Sequence, residues 1–347
     1  MSRPRPLDCP AEQSNAPSLG PCWTEAVTLV LREGDEVQGV RDPTSVGSAF
    51  GRSPRSFREV TAVKLRVRAD ELALPTSPTI AFRFTQLAAL FVWTLQGSPD
   101  LSRLPLYAER GAPFATASGR SDGAFGFRML QPVNQLRAAI TLLQRDPSTR
   151  RAMIVLGNDR DVTRLPRDYP CATSIQFMLR GDGLRTFVHM RSQSVFNLFL
   201  YDASLFMLLQ RYVAARLGVS PSTYAHIANS LHIYSDELDK AKRVVSSAPP
   251  MEVPLPEFST HASGCSSLLR VADVITGHDM NVLGPTVLDD LESGTLEHFL
   301  AATLAYGWLR TGRSTGRNDQ LLTGLASTVQ SDYGLAAAME WEGYHSA

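Results

Sequence analysis

Two segments of alternating apolar and polar residues, SIQFMLR at 174–180 and LRTFVHM at 184–190, flank the sequence Gly-Asp-Gly at 181–183. Glycine readily adopts the positive φ angles that tight hairpin turns require. Alternation with a period of two is typical of strands that bury one face. This stretch therefore predicts a β-hairpin that packs one face against a core.

Segments of helical and strand character continue on both sides of this hairpin. Strands are predicted over 59–67, 152–157 and 224–234, and helices over 84–95, 134–145, 203–216, 294–311 and 319–338. Gly218 is expected to end the helix over 203–216, because glycine is favoured just past a helix C-terminus. Strands and helices are therefore mixed along the chain.

Composition and net charge indicate which classes of partner to expect. The chain has 347 residues, of which 44% are hydrophobic and 20% charged, so a sizeable core is possible. The formal net charge is +0, which gives no broad field for nucleic acid or an anionic membrane. No stretch approaches the ~18 apolar residues of a membrane span. We expect neither nucleic acid nor a membrane as a partner.

The cysteines and the N-terminus indicate an intracellular protein. Cys9, Cys22, Cys171 and Cys265 show no paired or zinc-type spacing, so we expect reduced thiols, no metal and a cytoplasmic location. Residues 1–22 are rich in Pro, Ser and Asn and lack the apolar run of a signal peptide. This segment is predicted to be a disordered tail.

Several polar residues can carry chemistry, and each has an ordinary structural alternative. Cys171 stands where a polar loop enters a strand and can be partly exposed, although free cysteines are often core fillers. The adjacent Arg150 and Arg151 can share one phosphate, or can lie on a solvated turn. Arg191 ends the hairpin, where it lowers the pKa of a nearby thiol or forms a surface ion pair.

A second pair of polar side chains follows in the last predicted strand. His232 and Tyr234 are two residues apart and therefore lie on one face of that strand. Together they can hold a sugar hydroxyl, and ordinary core packing explains the pattern equally well.

The order and spacing of these residues is more specific than any one of them. The motifs DPSTRR, YPC, QFMLRGDGL, MRSQSVF, DASLFMLL and HIY resemble the catalytic half of the thymidylate synthase superfamily, which includes the deoxycytidylate hydroxymethylases. FVWTLQG at 91–97 is similar to a helix of that family. The resemblance covers roughly residues 50–245, and residues 98–130 match poorly.

This resemblance implies a fold and a domain organisation. The fold is α/β (α+β), with a large bent β-sheet, surrounding helices and a sheet face that forms a homodimer interface. Residues 23–290 are then the catalytic domain, and residues 291–347 are a C-terminal helical extension.

The resemblance also implies roles at a nucleotide site. Cys171 is the nucleophile, Arg191 binds the phosphate of a pyrimidine nucleoside monophosphate beside it, and Ser192 adds a hydroxyl. Arg150 and Arg151 reach the phosphate in the partner subunit.

Four further residues complete the implied nucleotide site. Arg55 or Arg52 in a preceding loop is a further candidate for phosphate binding. His232 and Tyr234 hold the sugar, and Gln176 is a scaffold residue of the active-site strand.

The chemistry implied by the resemblance is covalent. The Cys171 thiolate adds to C6 of the base, which makes C5 a nucleophile toward a one-carbon unit from 5,10-methylenetetrahydrofolate. Hydride transfer then gives a methyl group, and water gives a hydroxymethyl group. Trp93 and Ser194 occupy positions expected to bind the folate.

Asp202 is the most informative departure from the family pattern, because uracil-specific synthases carry Asn there. Cytosine offers N4–H₂ as a donor and N3 as an acceptor, which a protonated carboxyl group satisfies. In this Asp the chain resembles the hydroxymethylases of cytosine nucleotides. The alternative is that Asp202 caps the helix that follows it.

Other departures concern proton transfer and the folate. Leu90 stands where the family has a catalytic Glu, Ser194 replaces an Asp that binds the pterin, and Ala172 replaces a His. Glu109 is a carboxylate that can substitute for the missing Glu or lie in a solvated loop. The C-terminus also lacks an obvious copy of the family's closing tail.

Three functions follow from this pattern. The first is a C5-hydroxymethyltransferase acting on CMP or dCMP, of the kind used in nucleoside-antibiotic or modified-base biosynthesis. The second is another C5 alkylation or methylation of a nucleotide such as UMP or dUMP. The third is a nucleotide-binding homodimer without catalysis. The sugar-site residues fit ribose and deoxyribose alike.

Overall fold

The computed structural model of the chain describes residues 16–39, 55–76, 82–101, 115–164, 168–259, 264–276, 288 and 291–310. Its helices are α1 (Leu19–Glu33), α2 (Phe84–Gln96), α3 (Phe125–Leu130), α4 (Gln135–Arg145), α5 (Asp159–Arg164), α6 (Phe199–Leu217), α7 (Leu238–Val245), α8 (Gly264–Thr276) and α9 (Leu296–Arg310). Its strands are β1 (Asp35–Val37), β2 (Phe57–Arg68), β3 (Ala73–Thr76), β4 (Met153–Val155), β5 (Ala172–Arg180), β6 (Gly183–Met190), β7 (Gln193–Ser194), β8 (Pro221–Tyr234) and β9 (Met251–Pro254).

A large mixed sheet organises the described residues. Its strand order is β1-β2-β8-β6-β5-β4, with β7 paired to β8 as the seventh strand. β5 and β6 pair antiparallel, whereas β6 and β7 both run parallel to β8. β3 and β9 form a separate two-stranded sheet. A large mixed sheet with surrounding helices is the α/β architecture expected from the sequence.

The central hairpin forms as predicted. Gly183 has a φ of 121°, and an added Cβ would lie only 2.4 Å from the carbonyl oxygen of Ser220. Glycine is therefore required at this turn. Phe177 of β5 and Val188 of β6 are fully buried, so one face of the hairpin packs against the core.

Helix α6 packs in the interior, and it begins earlier in the chain than the sequence predicted. It begins at Phe199 rather than at residue 203, and its buried residues lie on most of its faces. It ends at Leu217, followed by Gly218 with a φ of 67°. The N–H of Gly218 is bonded to the carbonyl groups of Ala214 and Ala215, which confirms the predicted glycine cap.

The two ends of the chain were predicted less well. Helix α1 begins at Leu19, inside the segment expected to be a tail, because Trp23 is buried and its indole N–H donates to the carbonyl of Val195 at 2.8 Å. Residues 1–15 lie outside the described residues.

Helix α9 corresponds to the prediction over 294–311, and its Phe299 packs against Phe84 of α2. The helix expected over 319–338 also lies outside the described residues.

Strands β2 and β8 share a break in the middle of the sheet. Ala62 has a φ of 57°, which is uncommon for a residue with a side chain. Pairing stops after Thr61 opposite Ser230 and resumes at Val63 opposite Ala228. The register is the same on both sides of this point. We call this irregularity the β2–β8 break.

Two features are absent from the described ranges. Among the helices there, none combines the length and apolar character that a membrane span needs. In the same part of the chain, no group of three or more His, Cys, Asp and Glu side chains is arranged to hold a metal ion.

Candidate active site

Cys171 lies at the junction where the loop preceding β5 enters the sheet. The residue is half-buried, and its Sγ is 3.9 Å from Nη2 of Arg191. Burial raises the pKa of the thiol to about 11, and the negative charges of Asp202 and Asp168 act in the same direction. The Arg191 guanidinium opposes that rise. In the free protein Cys171 is therefore a thiol near neutral pH, with a cation positioned to stabilise its anion.

Arg191 is held in place by the loop that carries the cysteine. Its Nε donates to the carbonyl of Pro170 at 3.1 Å, and its Nη2 donates to the carbonyl of Tyr169 at 2.9 Å. Its guanidinium also lies over the Tyr169 ring, 4.3 Å from the ring centroid. The main-chain N–H of Arg191 donates to the carbonyl of Cys171 at 2.8 Å. The arginine and the thiol are thus fixed relative to each other by short local bonds.

Asp202 is a half-buried carboxyl group in the first turn of α6. Burial raises its pKa to about 7, and the hydrogen bond from Gln193 opposes that rise. The N-cap position belongs to Leu198, and no side chain caps this helix. Asp202 is therefore not a helix cap, and its carboxyl group is poised to hold or release a proton near neutral pH.

His232 and Tyr234 come together with Phe57 of the neighbouring strand. The His232 ring lies 5.4 Å from the Phe57 ring and 4.9 Å from the Tyr234 ring. Burial lowers the pKa of His232 to about 4, against the effect of the Glu59 carboxylate. Its Nδ1 is buried without a hydrogen-bond partner among the described residues. A neutral imidazole with an unpartnered nitrogen can bond to a hydroxyl group, and the predicted contact with a sugar stays a prediction.

Arg55 lies beside this cluster, but it is engaged with carboxylates. Its guanidinium is 3.7 Å from the centroid of the Tyr234 ring, and its Nη2 lies 2.6 Å from Asp236 and 2.7 Å from Glu237. A phosphate would have to compete with these ion pairs, so its predicted phosphate contact stays a prediction. Arg52 lies outside the described residues.

Three further predicted phosphate residues lie in connections between elements of the sheet and its helices. Arg150 and Arg151 are exposed between α4 and β4, and Ser192 is half-buried after β6. Gln176 of β5 donates to the carbonyl of Arg150 at 2.8 Å, so it tethers the arginine segment to the sheet. The two arginines are free to meet a molecule outside their own subunit, and their role across an interface stays a prediction.

The positions expected to meet the folate are largely buried. The Oγ of Ser194 is buried without a partner among the described residues, which fits a polar group of an incoming ligand. The indole N–H of Trp93 donates to the carbonyl of Asp100 at 3.2 Å. Leu90 is buried and Ala172 is fully buried in β5, and neither offers a proton. Glu109 lies outside the described residues.

The structure adds polar residues that the sequence did not single out. Asp168 accepts hydrogen bonds from the hydroxyl of Ser121 and from the N–H of Gly123, and burial raises its pKa. Gln193 and His226 are buried; Gln193 is hydrogen-bonded to Asp202, and His226 is hydrogen-bonded to Gln193. The one signal in the sequence was a histidine, His226, in the mostly apolar strand β8. Its hydrogen-bond partner Gln193 is distant in sequence, so the sequence alone did not pair them.

The chain is similar in sequence to known proteins. Residues 23–288 match the model of the family described as Thymidylate synthase. The chain is 32% identical over 110 residues to the "Putative thymidylate synthase" of Methanocaldococcus jannaschii, covering 30% of this chain and 50% of that protein. It is 26% identical over 154 residues to the "Deoxyuridylate hydroxymethyltransferase" of Pseudomonas phage M6, covering 43% of this chain and 44% of that protein. The chain thus spans about half the length of these curated relatives.

Proposed function

Because the chain belongs to the thymidylate synthase family, we propose that it transfers a one-carbon unit to C5 of a pyrimidine nucleoside monophosphate. In its specific form, the proposal is hydroxymethylation of CMP or dCMP with 5,10-methylenetetrahydrofolate as co-substrate. The single observation that carries the reaction is the Cys171 thiol held 3.9 Å from the Arg191 guanidinium. This pair supplies a nucleophile and the charge that stabilises its anion.

Cys171 carries the covalent step of the proposal. Its thiolate adds to C6 of the pyrimidine, and the electrons of the C5–C6 double bond move to C5 and, in cytosine, into the adjoining C4–N3 bond. C5 thereby becomes nucleophilic and forms a bond to the one-carbon unit. Loss of the C5 proton and cleavage of the bond to the folate nitrogen leave an exocyclic methylene, to which water adds as the bond from sulfur to C6 breaks. Since the pKa of the free thiol is about 11, Arg191 has to stabilise the anion during attack.

Asp202 supports a cytosine base. Its pKa of about 7 means that a protonated form is available at neutral pH. A protonated carboxyl group donates to N3 of cytosine and accepts from N4–H₂. An ionised carboxylate would meet the lone pair of N3 without a proton between them, which is unfavourable.

The folate site fits only in part. When bound, 5,10-methylenetetrahydrofolate supplies the one-carbon unit. Ser194, whose Oγ has no partner among the described residues, would hold a polar group of the pterin, and the ring of Trp93 would pack beside it. Leu90 cannot move a proton, so the protons near the base are left to Asp202 and to water.

A homodimer is part of the proposal. The exposed side chains of Met153 and Val155 place apolar surface on the edge strand β4, near the exposed Arg150 and Arg151. An exposed apolar edge of this kind is suited to burial against a second copy. In such a dimer the two arginines would bind the partner's nucleotide phosphate.

A second candidate is the same reaction on a uracil nucleotide. It is favoured by the similarity to the Deoxyuridylate hydroxymethyltransferase of Pseudomonas phage M6, a protein named for action on deoxyuridylate. The two candidates differ in the base alone, so one experiment separates them.

The test measures product from CMP, dCMP, UMP and dUMP with methylenetetrahydrofolate, using mass spectrometry of the nucleotides. We expect hydroxymethylated cytosine nucleotide from the wild type and none from Cys171→Ser, which should still bind nucleotide within about tenfold of wild-type affinity. Asp202→Asn should shift the ratio of kcat/KM from cytosine toward uracil by about tenfold to a thousandfold. Full activity of Cys171→Ser would reject the covalent step, and an unchanged base ratio in Asp202→Asn would reject the base assignment.

A further inference from the structure

Three buried side chains form a hydrogen-bonded series that ends on Asp202. The hydroxyl of Tyr224 is 2.8 Å from Nδ1 of His226, and Nε2 of His226 is 2.9 Å from Oε1 of Gln193. Nε2 of Gln193 then donates to Oδ2 of Asp202 at 3.0 Å. Tyr224 and His226 are fully buried, and Gln193 is 1% exposed. We call Tyr224, His226 and Gln193 the buried triad.

A main-chain carbonyl fixes the direction of every bond in the buried triad. The amide nitrogen of Gln193 also donates to the carbonyl oxygen of Ser194 at 3.3 Å, and a carbonyl can only accept. The amide oxygen of Gln193 must therefore face His226, whose Nε2 carries the proton. Nδ1 of His226 is then an acceptor and takes the hydroxyl proton of Tyr224.

The surroundings keep this direction fixed. Burial lowers the pKa of His226 to about 3, and burial also keeps Tyr224 protonated by raising its pKa. The ring of Phe199 meets the His226 ring edge to face at a centroid distance of 5.0 Å. The imidazole is therefore neutral at ordinary pH, with a single tautomer imposed by its two neighbours.

The direction of these hydrogen bonds determines which oxygen of Asp202 can carry a proton. Both amide hydrogens of Gln193 are directed outward, one to Ser194 and one to Oδ2 of Asp202, so Oδ2 is always an acceptor. A proton on this carboxyl group is therefore confined to Oδ1. A carboxyl group without such a constraint can place its proton on either oxygen and so can pair with cytosine or with uracil.

We propose that the buried triad locks Asp202 into one donor and acceptor pattern and thereby determines which pyrimidine base the protein binds. This inference rests on the proposed function in one respect, which is that Asp202 faces the base. The triad residues are positioning residues, since they act through Asp202. The identity of the preferred base is a separate question from the existence of the lock.

The test compares dissociation constants of CMP and UMP, and of dCMP and dUMP, by calorimetry. Gln193→Met removes both amide hydrogens at nearly constant volume. We expect the ratio of uracil to cytosine dissociation constants to move toward one by about tenfold, the scale of one buried hydrogen-bond pattern. Gln210→Met is the matched control, because Gln210 is a fully buried glutamine on α6 that donates to the carbonyls of Leu184 and Thr223 and not to Asp202.

A second variant covers the case in which Gln193→Met does not fold. His226→Phe keeps a ring beside Phe199 and removes the proton that orients the Gln193 amide. We expect its base ratio to move in the same direction by about threefold, because the carbonyl of Ser194 still holds the amide in part.

The outcomes separate the lock from the proposed function. A wild-type preference for uracil that falls in Gln193→Met would support the lock and reject cytosine as the substrate base. Ratios that stay within about twofold of wild type in both triad variants would overturn the lock, even if cytosine nucleotides are the substrates. The lock would also be overturned by an equal shift in Gln210→Met, or by a wild-type protein that does not discriminate.

Discussion

Asp202 should make the folded protein less stable as the pH rises through neutrality. Its pKa is about 7 in the folded state against an ordinary value of 3.8. Between these values the unfolded chain has released the proton and the folded chain has kept it. Stability contributed by a group with a raised pKa is complete below its unfolded value and is lost as the pH rises through its folded value. Asp202→Asn removes this titration while keeping the shape of the side chain.

The magnitude follows from the two pKa values. From pH 5 to about pH 7 the unfolded state is ionised at this position and the folded state is not. Each pH unit in this window costs about 1.4 kcal/mol, so the wild type should lose about 1–3 kcal/mol by pH 8 because of Asp202. Other titrating groups are shared by the variant and the wild type and cancel in the comparison.

Urea unfolding at pH 5 and pH 8, at one protein concentration, measures this difference. Asp202→Asn should show a smaller loss of unfolding free energy than the wild type over that interval. Asp161→Asn is the matched control, because the Arg128 guanidinium lies 2.6 Å from Asp161 and the pKa of that carboxyl is lowered, so it stays ionised throughout the window. The unfolding free energy that Asp161→Asn loses relative to the wild type should therefore be the same at pH 5 and at pH 8. Parallel wild-type and Asp202→Asn profiles would refute the raised pKa of Asp202.

Two further predictions concern the nucleophile and the proposed dimer. Alkylation of Cys171 by iodoacetamide at pH 8 should be on the order of tenfold to a hundredfold slower than that of a thiol with a pKa of about 8.5, and should still rise above pH 9. A rate that levels off below pH 9, with Cys171→Ser as the background control, would contradict the raised pKa. Mixing Arg151→Ala and Cys171→Ser chains should restore one working site per heterodimer, since one site would then combine an intact Cys171 with an intact Arg151 and the other would lack both. If no mixture regains activity although each variant still dimerises, the arginine does not act across the interface.

The sequence predicted the parts of the fold that depend on local pattern. The hairpin of β5 and β6 and the cap at Gly218 follow from alternation and from glycine, which act over a few residues. Helix α1 was missed because its first turn contains Gly20 and Pro21, which are typical of loops. Proline is nevertheless tolerated in a first helical turn, where its missing N–H has no helical partner to lose.

The same distinction applies to the site. Cys171 and Arg191 were recognised from motif order, and the structure brings them within 3.9 Å. The buried triad was not recognised, because its hydrogen bonds join β7, β8 and α6, which are far apart in sequence. Directed hydrogen bonds between distant segments leave no periodic signal in the chain.

The β2–β8 break separates the two histidines of strand β8. His226 lies before the interruption and contacts Phe199 and Gln193, whereas His232 lies after it and contacts Phe57 and Tyr234. The positive φ of Ala62 at this point costs about 1 kcal/mol. Under the proposed function, one strand then carries a base-directed group and a sugar-directed group with an interruption of pairing between them, which is a modular arrangement.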